Sequence, residues 1–349
     1  MTRNRIESNK TIFKLIDVFC QERGLTLETH GQNRFITTAS KDRFYLDHAK
    51  ISNIWKVGSN RQIFIVEFSD KRFIGAIGFS FDDNESGLVY YPLNAGLTTA
   101  IISELRLIPK ADKYYVKNTI DVGDMRDPLY SGHNYTQMLD LYPHIRLYEI
   151  DIDHEDYWCN YLNICIFEAL HIDRSISDKL AEELFAFVEL NLKFLPYRNI
   201  CRSILDVDPR SLFLALYRCL EALYAYSSAK ELGRQLDIQF EWSEIATVVE
   251  QVTGWYPKEE SSLERLLRMA SPKNIECLVV LCGASIEGQR TLTEKAAKNI
   301  YSIRNNSVHY RPIHRGKEYH DLDFDMINST LLGIIWDIYL EAQKVDNTN

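Results

Sequence analysis

The hydrophobic periodicity of the chain changes near residue 145, and this change constrains the fold more than any other feature of the sequence. From about residue 34 to residue 93, short segments rich in aromatic and β-branched residues are separated by clusters of Asp, Asn, Gly and Ser, which is typical of strands. After residue 145, apolar residues recur every three or four positions, which predicts helices. The expected fold class is α+β, with a mixed α/β, β-rich domain followed by an all-α helical bundle.

The N-terminal pattern predicts both helices and strands. An amphipathic helix is expected at residues 9–23, a short helix at 98–108, and loops with short elements over 109–145. The predicted strands lie between the two helices and read RFITTAS (34–40), RQIFIVEFS (61–69), RFIGAIGFSF (72–81) and GLVYYPL (87–93).

The C-terminal pattern predicts about five or six helices. Asp208 and Pro209 supply an N-cap and a first-turn proline for a helix expected to run to about residue 232. Thr291 and Glu294 form a capping-box pattern that begins a later helix. The other predicted helices lie at 178–195, 260–270, 272–283 and 323–343.

A chain of 349 residues is longer than one average domain, so we interpret the two patterns as separate domains. The prediction is a sensing or regulatory domain over residues 1–145, a linker or bridging segment over 146–180, and an all-α domain over 181–345.

Charge and cysteine content restrict the class of protein. The formal net charge of −9 excludes a basic field over the whole protein, so any nucleic-acid contact must come from a local patch. The seven cysteines are odd in number and include no Cys-x-x-Cys pair, which argues against a disulfide framework and a common zinc site. The sequence has neither an apolar run of membrane-spanning length nor the apolar core of a signal peptide. We therefore expect a cytoplasmic protein with no membrane partner.

The strongest candidate for chemistry lies on the helix predicted to begin near residue 292, which reads LTEKAAKNIYSIRNNSVHYRP. Arg304 lies beside an apolar stripe, Asn305 follows it, and His309 lies five residues further on. A guanidinium group suits phosphate oxygens, and an imidazole can give and take a proton near neutral pH. This pair suffices for RNA cleavage without a metal, in which a 2′-hydroxyl attacks the adjacent phosphate.

The residues from Arg304 to His309 (RNNSVH) resemble the R-x4–6-H motif of HEPN domains. These domains are α-helical bundles found in many prokaryotic ribonuclease toxins, antiviral systems and CRISPR-linked nucleases. Asn directly after the Arg is the commonest polar choice in that motif, and the late position of this helix is also similar. The resemblance covers roughly residues 180–345 and implies a catalytic pair of Arg304 and His309, with Asn305 supporting the loop or the scissile phosphate.

The resemblance also implies an orienting role for Glu221, a homodimer that brings two motifs into one cleft, and a toxin or antiphage (abortive infection) function. The dimer matters because side chains five residues apart on a straight helix point about 140° away from each other. One feature departs from the family. Some relatives have a regulatory Tyr two residues after the His, where this chain has Arg311, so that role is not transferred.

A cationic stretch follows the motif in this otherwise acidic protein. Arg311, Arg315 and Lys317 are interpreted as a patch that binds the RNA backbone beside the active site. An ordinary solvated loop between two helices is the alternative interpretation.

Other interpretations of the whole chain remain open, because Arg and His occur at comparable spacing elsewhere. Arg304 and Asn305 could simply end a helix that carries a surface His. The domain could be a catalytically inactive HEPN-like dimerisation or binding module that acts as an adaptor or sensor. A partner-regulated adaptor could instead use its β-rich half to bind a regulatory protein or a phage-derived trigger. The other Arg/His pairs are Arg23 and His30, Arg43 and His48, Arg126 and His133, and Arg315 and His320.

No cofactor or metal is expected. The chain contains no P-loop, G-x-G-x-x-G, G-x-S-x-G or H-E-x-x-H motif. The acidic segments 151–158 and 320–325 carry ligands suited to a hard cation, but acidic linkers or helix starts also explain them.

Overall fold

The computed structural model describes residues 3–31, 33–57, 61–80, 88–123, 126–150, 157–190, 195–237, 239–308 and 322–346. The chain divides into two compact units, Met1–Tyr157 and Trp158–Asn349. The first contains a five-stranded antiparallel sheet with helices, and the described residues of the second are helical where they form regular structure. The predicted α+β class with a β-rich N-terminal region is confirmed.

The sheet of the first unit has the strand order β1-β2-β3-β5-β4, and every neighbouring pair is antiparallel. The central strand β3 pairs with both β2 and β5, so that Ile74 lies opposite Ile65 on one side and Tyr148 on the other. Both partners of Ile74 are fully buried, as expected for strands with helices or loops on their faces. The strands are β1 (Lys50–Val57), β2 (Arg61–Phe68), β3 (Lys71–Ile77), β4 (Val89–Tyr91) and β5 (Ile145–Ile150).

Helices of the first unit pack on this sheet around one hydrophobic core. Ile12, Ile16 and Phe19 recur at helical spacing and are buried together with Phe64 and Leu147 of the sheet. The Asn4 side chain accepts a hydrogen bond from the backbone N–H of Ile6 and so caps the first helix. The helices are α1 (Arg5–Glu22), α2 (Ser40–His48), α3 (Ala95–Glu104), α4 (Lys113–Ile120) and α5 (Tyr135–Leu139).

The second unit is built from helices α6 to α15. The first of these continues into one π-helical turn, Ala169–Asp173. The helices are α6 (Tyr157–Glu168), α7 (Asp178–Glu189), α8 (Tyr197–Ile204), α9 (Pro209–Glu221), α10 (Tyr226–Leu236), α11 (Trp242–Thr253), α12 (Glu259–Leu267), α13 (Pro272–Leu281), α14 (Leu292–Val308) and α15 (Phe324–Asp346).

Helix α15 forms the centre of the second unit and packs against α7, α9 and α13. Its buried stripe includes Ile327, Leu331 and Ile338, which lie four and seven residues apart and so share one face of the helix. The Tyr339 hydroxyl donates a hydrogen bond of 2.9 Å to the backbone oxygen of Cys219 on α9. This contact and the apolar stripe fix α9 against α15 and so set the position of the residues that α9 carries.

Several local predictions differ from the structure. Segment 34–40 is no strand: Ile36 makes a single parallel bridge to His133, and its backbone N–H donates to the Asn9 side chain instead of to a neighbouring strand. Strands β1 and β5 and helices α2, α6, α8 and α11 were not predicted from the sequence, whereas α4 and α5 are short elements within 109–145. The helix expected to run to residue 232 is interrupted between α9 and α10, where turns replace it.

The predicted boundaries also differ from the observed division. Strand β5 belongs to the N-terminal sheet, so this unit extends beyond the predicted limit at residue 145. The predicted linker at 146–180 contains β5 and α6, both regular elements with buried residues. Among the described residues, no helix combines the length and the apolar character needed to cross a membrane.

Candidate functional site

The candidate site lies where α9, α12 and α14 meet in the C-terminal unit. The capping box predicted for α14 is present: Thr291 Oγ1 accepts a hydrogen bond from the Glu294 N–H, and Glu294 Oε2 accepts one from the Thr291 N–H. Ala297 and Ile300 are buried on the packed face of α14. Arg304 lies seven residues after Ala297 and therefore on the same face, where its side chain is only 22% exposed.

Two carboxylates from neighbouring helices flank the Arg304 guanidinium group. Arg304 Nη2 lies 3.8 Å from Glu221 Oε1 on α9 and 3.6 Å from Glu259 Oε1 on α12. These distances allow charge attraction but exceed a direct N–H···O hydrogen bond. Arg304 Nη1 donates a hydrogen bond of 2.9 Å to Asn305 Oδ1. The guanidinium is thus positioned by opposite charges without a bidentate pairing to either carboxylate.

An aromatic ring completes the surroundings of Arg304. The Arg304 Cζ atom lies 5.6 Å from the centre of the Tyr217 ring, which is within cation–π range. Tyr217 and Glu221 are four residues apart on α9 and so share one face of that helix. The Tyr224 hydroxyl donates a buried hydrogen bond of 2.8 Å to the Tyr217 hydroxyl and holds that ring in place.

Burial raises the pKa of three groups in this cluster, Glu221, Tyr217 and Tyr224, and so favours their neutral forms. Burial raises the pKa of Glu221, and the Glu259 charge adds to this, while Arg304 and Arg218 oppose it. Burial also raises the pKa of Tyr217. Burial and the hydrogen bond to Tyr217 raise the pKa of Tyr224. Both phenols therefore stay protonated at neutral pH, and the cluster offers a fixed cation, two carboxylates and two hydroxyl groups.

An open polar cleft of about 640 Å³ follows the seam between α12 and α14. Three cations, Lys258, Arg290 and Lys298, and three carboxylates, Glu260, Glu264 and Glu294, line it, so its charges balance. Ala297 also forms part of its lining. Because Ala297 and Arg304 share a face of α14, the seam that carries this cleft also carries the arginine cluster. The cleft is of a size suited to small molecules or short segments of a polymer.

The predicted site residues fall into two groups. Arg304, Asn305 and Glu221 are described, and the structure brings them together. The other predicted site residues, His309, Arg311, Arg315 and Lys317, lie outside the described residues. The catalytic, orienting and RNA-binding roles of all seven remain predictions.

Three residues of the cluster were missed from the sequence: Glu259, Tyr217 and Tyr224. Tyr217 carried a usable signal, because its spacing from Glu221 places both on one helix face. Glu259 carried none, because an acidic residue at a helix start is an ordinary complement to the helix dipole.

The metal candidates are only partly described. Residues 151–156 and 320–321 lie outside the described residues. Within the described ranges, no group of three or more His, Cys, Asp or Glu side chains is arranged to hold a metal ion.

Comparisons with known proteins found no matching family model, no matching curated protein and no matching solved structure.

Proposed function

We propose that the C-terminal unit is a metal-independent endoribonuclease that uses Arg304 and His309. The observation that carries this proposal is the setting of Arg304: carboxylates at 3.6 and 3.8 Å and the Tyr217 ring orient a guanidinium that remains partly exposed. A pre-oriented cation beside solvent is what a reaction that develops negative charge on a phosphate requires.

The proposed reaction is attack of an RNA 2′-hydroxyl on the adjacent phosphorus atom. The 2′-oxygen forms a bond to phosphorus, the bond to the 5′-oxygen of the next nucleotide breaks, and the products are a 2′,3′-cyclic phosphate and a 5′-hydroxyl. Arg304 stabilises the extra negative charge on the phosphate oxygens. His309 accepts the proton of the 2′-hydroxyl or protonates the leaving oxygen.

The remaining predicted residues have supporting roles in this proposal. Asn305 and Glu221 position Arg304 through the hydrogen bond and charge contacts described above. Arg311, Arg315 and Lys317 bind the RNA backbone.

The setting of the enzyme is part of the proposal. We place it in the cytoplasm, as a homodimer that joins two motifs, with a toxin or antiphage (abortive infection) role released through the N-terminal unit by a regulatory protein or a phage-derived trigger. Sedimentation of the purified protein tests the dimer, and a monomer at all concentrations would contradict it.

The decisive experiment is cleavage of total RNA by the purified full chain in the presence of EDTA. Wild-type protein should cleave, and Arg304→Ala should reduce the rate by about 10²–10³-fold. His309→Ala should reduce it by about 10²–10⁴-fold. Arg268→Ala is the matched control, because Arg268 pairs with Glu264 on the exposed side of α12. A substrate with a 2′-deoxy sugar at the cleavage position should resist. Equal cleavage by wild type and the two site variants would refute the site.

The second candidate is a non-catalytic helical binding module. The observation that favours it is that Glu221 and Glu259 already compensate the charge of Arg304. Under this alternative the wild-type protein cleaves no RNA with EDTA or with Mg²⁺, and Arg304→Ala alters partner binding or oligomeric state instead.

A further inference from the structure

A cleft of about 910 Å³ opens beside α1 in the N-terminal unit. One face of α1 forms its first wall, with Ile6, Lys10 and Phe13 recurring every three or four residues. Arg34 and Phe35 form the wall opposite. This volume falls within the range of about 300–1,000 Å³ that is usual for small-molecule sites.

The cleft is strongly cationic although the protein is acidic. Its lining includes the permanent cations Arg5, Lys10, Lys14 and Arg34 and a single carboxylate, Asp17. In the described part of the chain, Arg5 and Lys14 have no carboxylate within ion-pair distance, while Lys10 contacts Glu7 on the rim at 2.9 Å. A negatively charged ligand would therefore gain attraction that the protein itself does not supply.

The single carboxylate is already occupied. Arg34 Nη2 donates to both oxygens of Asp17 at 2.7 Å, and the Gly31 N–H donates to Asp17 Oδ2 at 3.3 Å. His30 Nδ1 lies 3.4 Å from the same oxygen. Asp17 thus fixes the two walls to each other and leaves little negative charge to repel an anion.

Buried N–H donors of Arg34 add to the positive potential of the wall that this residue forms. The Arg34 side chain is 1% exposed, yet its Nε and Nη1 atoms have no hydrogen-bond partner among the described residues. Arg34 Cζ and the His133 ring each lie 5.0 Å from the centre of the Phe13 ring. Burial and the Arg34 charge lower the pKa of His133 to about 4, so this ring is neutral at neutral pH.

The cleft also offers apolar surface. Ile6 and Val18 are exposed on α1, and Phe35 lies under the Arg5 guanidinium, 5.3 Å from its Cζ. An apolar wall beside several cations suits a molecule with a planar body and an anionic group. Lys10 and Lys14, one helical turn apart, favour a phosphate, which carries more charge and more acceptor oxygens than a carboxylate.

We propose that the α1 cleft binds a small aromatic phosphate of nucleotide size. The phosphate meets Lys10 and Lys14, which lie one helical turn apart, and the planar ring packs against Ile6 and Phe35 beside Arg5. This inference does not depend on RNA cleavage by the C-terminal unit.

Calorimetry on the full chain tests the proposal, with the four ribonucleoside 5′-monophosphates, their parent nucleosides and inorganic phosphate as probes. At least one monophosphate should bind at least about tenfold more tightly than its nucleoside and than inorganic phosphate. Equal binding of inorganic phosphate would refute the ring contact, and equal binding of the nucleoside would refute the phosphate contact. No binding of any monophosphate at millimolar concentration would refute the site.

Surface variants locate the binding. Lys14→Glu should weaken monophosphate binding by about tenfold or more, whereas Lys50→Glu, an exposed position at the start of β1, should not. Ile6→Ser should weaken monophosphate binding and leave the weak binding of inorganic phosphate unchanged. Arg234→Ala, at an exposed position of α10, should leave both unchanged. Loss of binding in Arg304→Ala but not in Lys14→Glu would place the nucleotide in the C-terminal unit and overturn the proposal.

Discussion

Arg34 in the N-terminal unit and Arg304 in the C-terminal unit each lie beside carboxylate and an aromatic ring, but the two arginines differ in how tightly they are paired. Arg34 in the N-terminal unit is 1% exposed and donates to both Asp17 oxygens at 2.7 Å. Arg304 in the C-terminal unit is 22% exposed and has its carboxylates at 3.6 and 3.8 Å. We call Arg34 with Asp17 the closed pair, because it joins two walls of a cleft. We call Arg304 with Glu221 and Glu259 the open pair, because its guanidinium keeps N–H donors that can bind a ligand.

The physical consequence follows from desolvation. A buried pair is no strong source of stability, but removing one partner leaves an uncompensated buried charge, which costs several kcal/mol. A partly exposed pair is screened by water and contributes little to folding. Arg34 should therefore matter for folding and Arg304 for activity, and this contrast can be broken by experiment.

The largest expected effect is on folding, from Asp17→Ala. This change leaves the Arg34 guanidinium buried without its carboxylate, which should lower the free energy of unfolding of the N-terminal unit by about 3–5 kcal/mol. Hydrogen exchange of peptides from α1 measures it. Glu22→Ala is the control, because its contact with Arg23 at 3.7 Å is exposed and should be worth less than about 1 kcal/mol. Similar exchange in both variants would show that the buried Asp17–Arg34 pair matters no more for stability than the exposed Glu22–Arg23 pair.

The next effect is on activity, from Arg304→Lys. The lysine keeps the positive charge but loses the planar fork of donors, so RNA cleavage should fall by about 10–100-fold while folding is nearly unchanged. Single-turnover cleavage and urea unfolding measure the two quantities. Arg268→Lys serves as control. A strongly lowered free energy of unfolding with unchanged cleavage would assign Arg304 the same structural role as Arg34.

The closed pair shows why local pattern misled the fold prediction around it. Segment 34–40 alternates like a strand, but Arg34 turns to Asp17 and the Ile36 N–H donates to Asn9. Among the described residues, its pairing with a neighbouring segment is limited to the bridge at His133. Strand β1 was missed because it is an edge strand with an irregular register between Ser52 and Trp55, which hides its alternation. Long helices with clear periodicity, such as α1 and α14, were predicted well, since local spacing determines them.

The open pair shows the same limit for the site. Arg304 and Asn305 are adjacent in sequence, and Glu221 was added by resemblance, but Glu259 reaches Arg304 only through the packing of α12 on α14. The break after α9 likewise has no Gly or Pro. Nothing in the local propensity of residues 222–225 reveals it, because tertiary contacts such as the Tyr224–Tyr217 hydrogen bond favour it.

A smaller effect concerns the ring beneath Arg304. Tyr224→Phe removes the buried hydrogen bond of 2.8 Å to the Tyr217 hydroxyl and should lower the free energy of unfolding by about 0.5–1.5 kcal/mol. Thermal unfolding of the full chain measures it, and Tyr130→Phe, which removes a hydrogen bond of 3.2 Å to the Phe35 backbone oxygen in the N-terminal unit, is a matched loss outside the Arg304 cluster. If Tyr224→Phe slows RNA cleavage and the control variant does not, the Tyr217 ring positions Arg304. Equal cleavage in both variants would mean that the ring position is not needed.

The smallest effect is a pH dependence carried by Glu221. Because burial raises the pKa of this carboxyl above that of an unfolded Glu, the folded state binds its proton more tightly, and ionisation costs stability. The stability of the C-terminal unit should therefore fall as the pH rises from the ordinary Glu pKa of about 4.3 through the raised value. Glu221→Gln removes this titration, so its stability relative to wild type should increase over the same interval.

With the Glu221 side chain 33% exposed, we expect this difference to stay below about 1 kcal/mol. Melting temperatures of wild type and Glu221→Gln from pH 4 to pH 7 measure it, with Glu260→Gln as the control for an exposed carboxylate on α12. A relative stability that instead decreases as the pH rises would mean that Arg304 holds the ionised carboxylate firmly. The Glu221–Arg304 contact would then be a tight ion pair, like the one that joins Arg34 to Asp17.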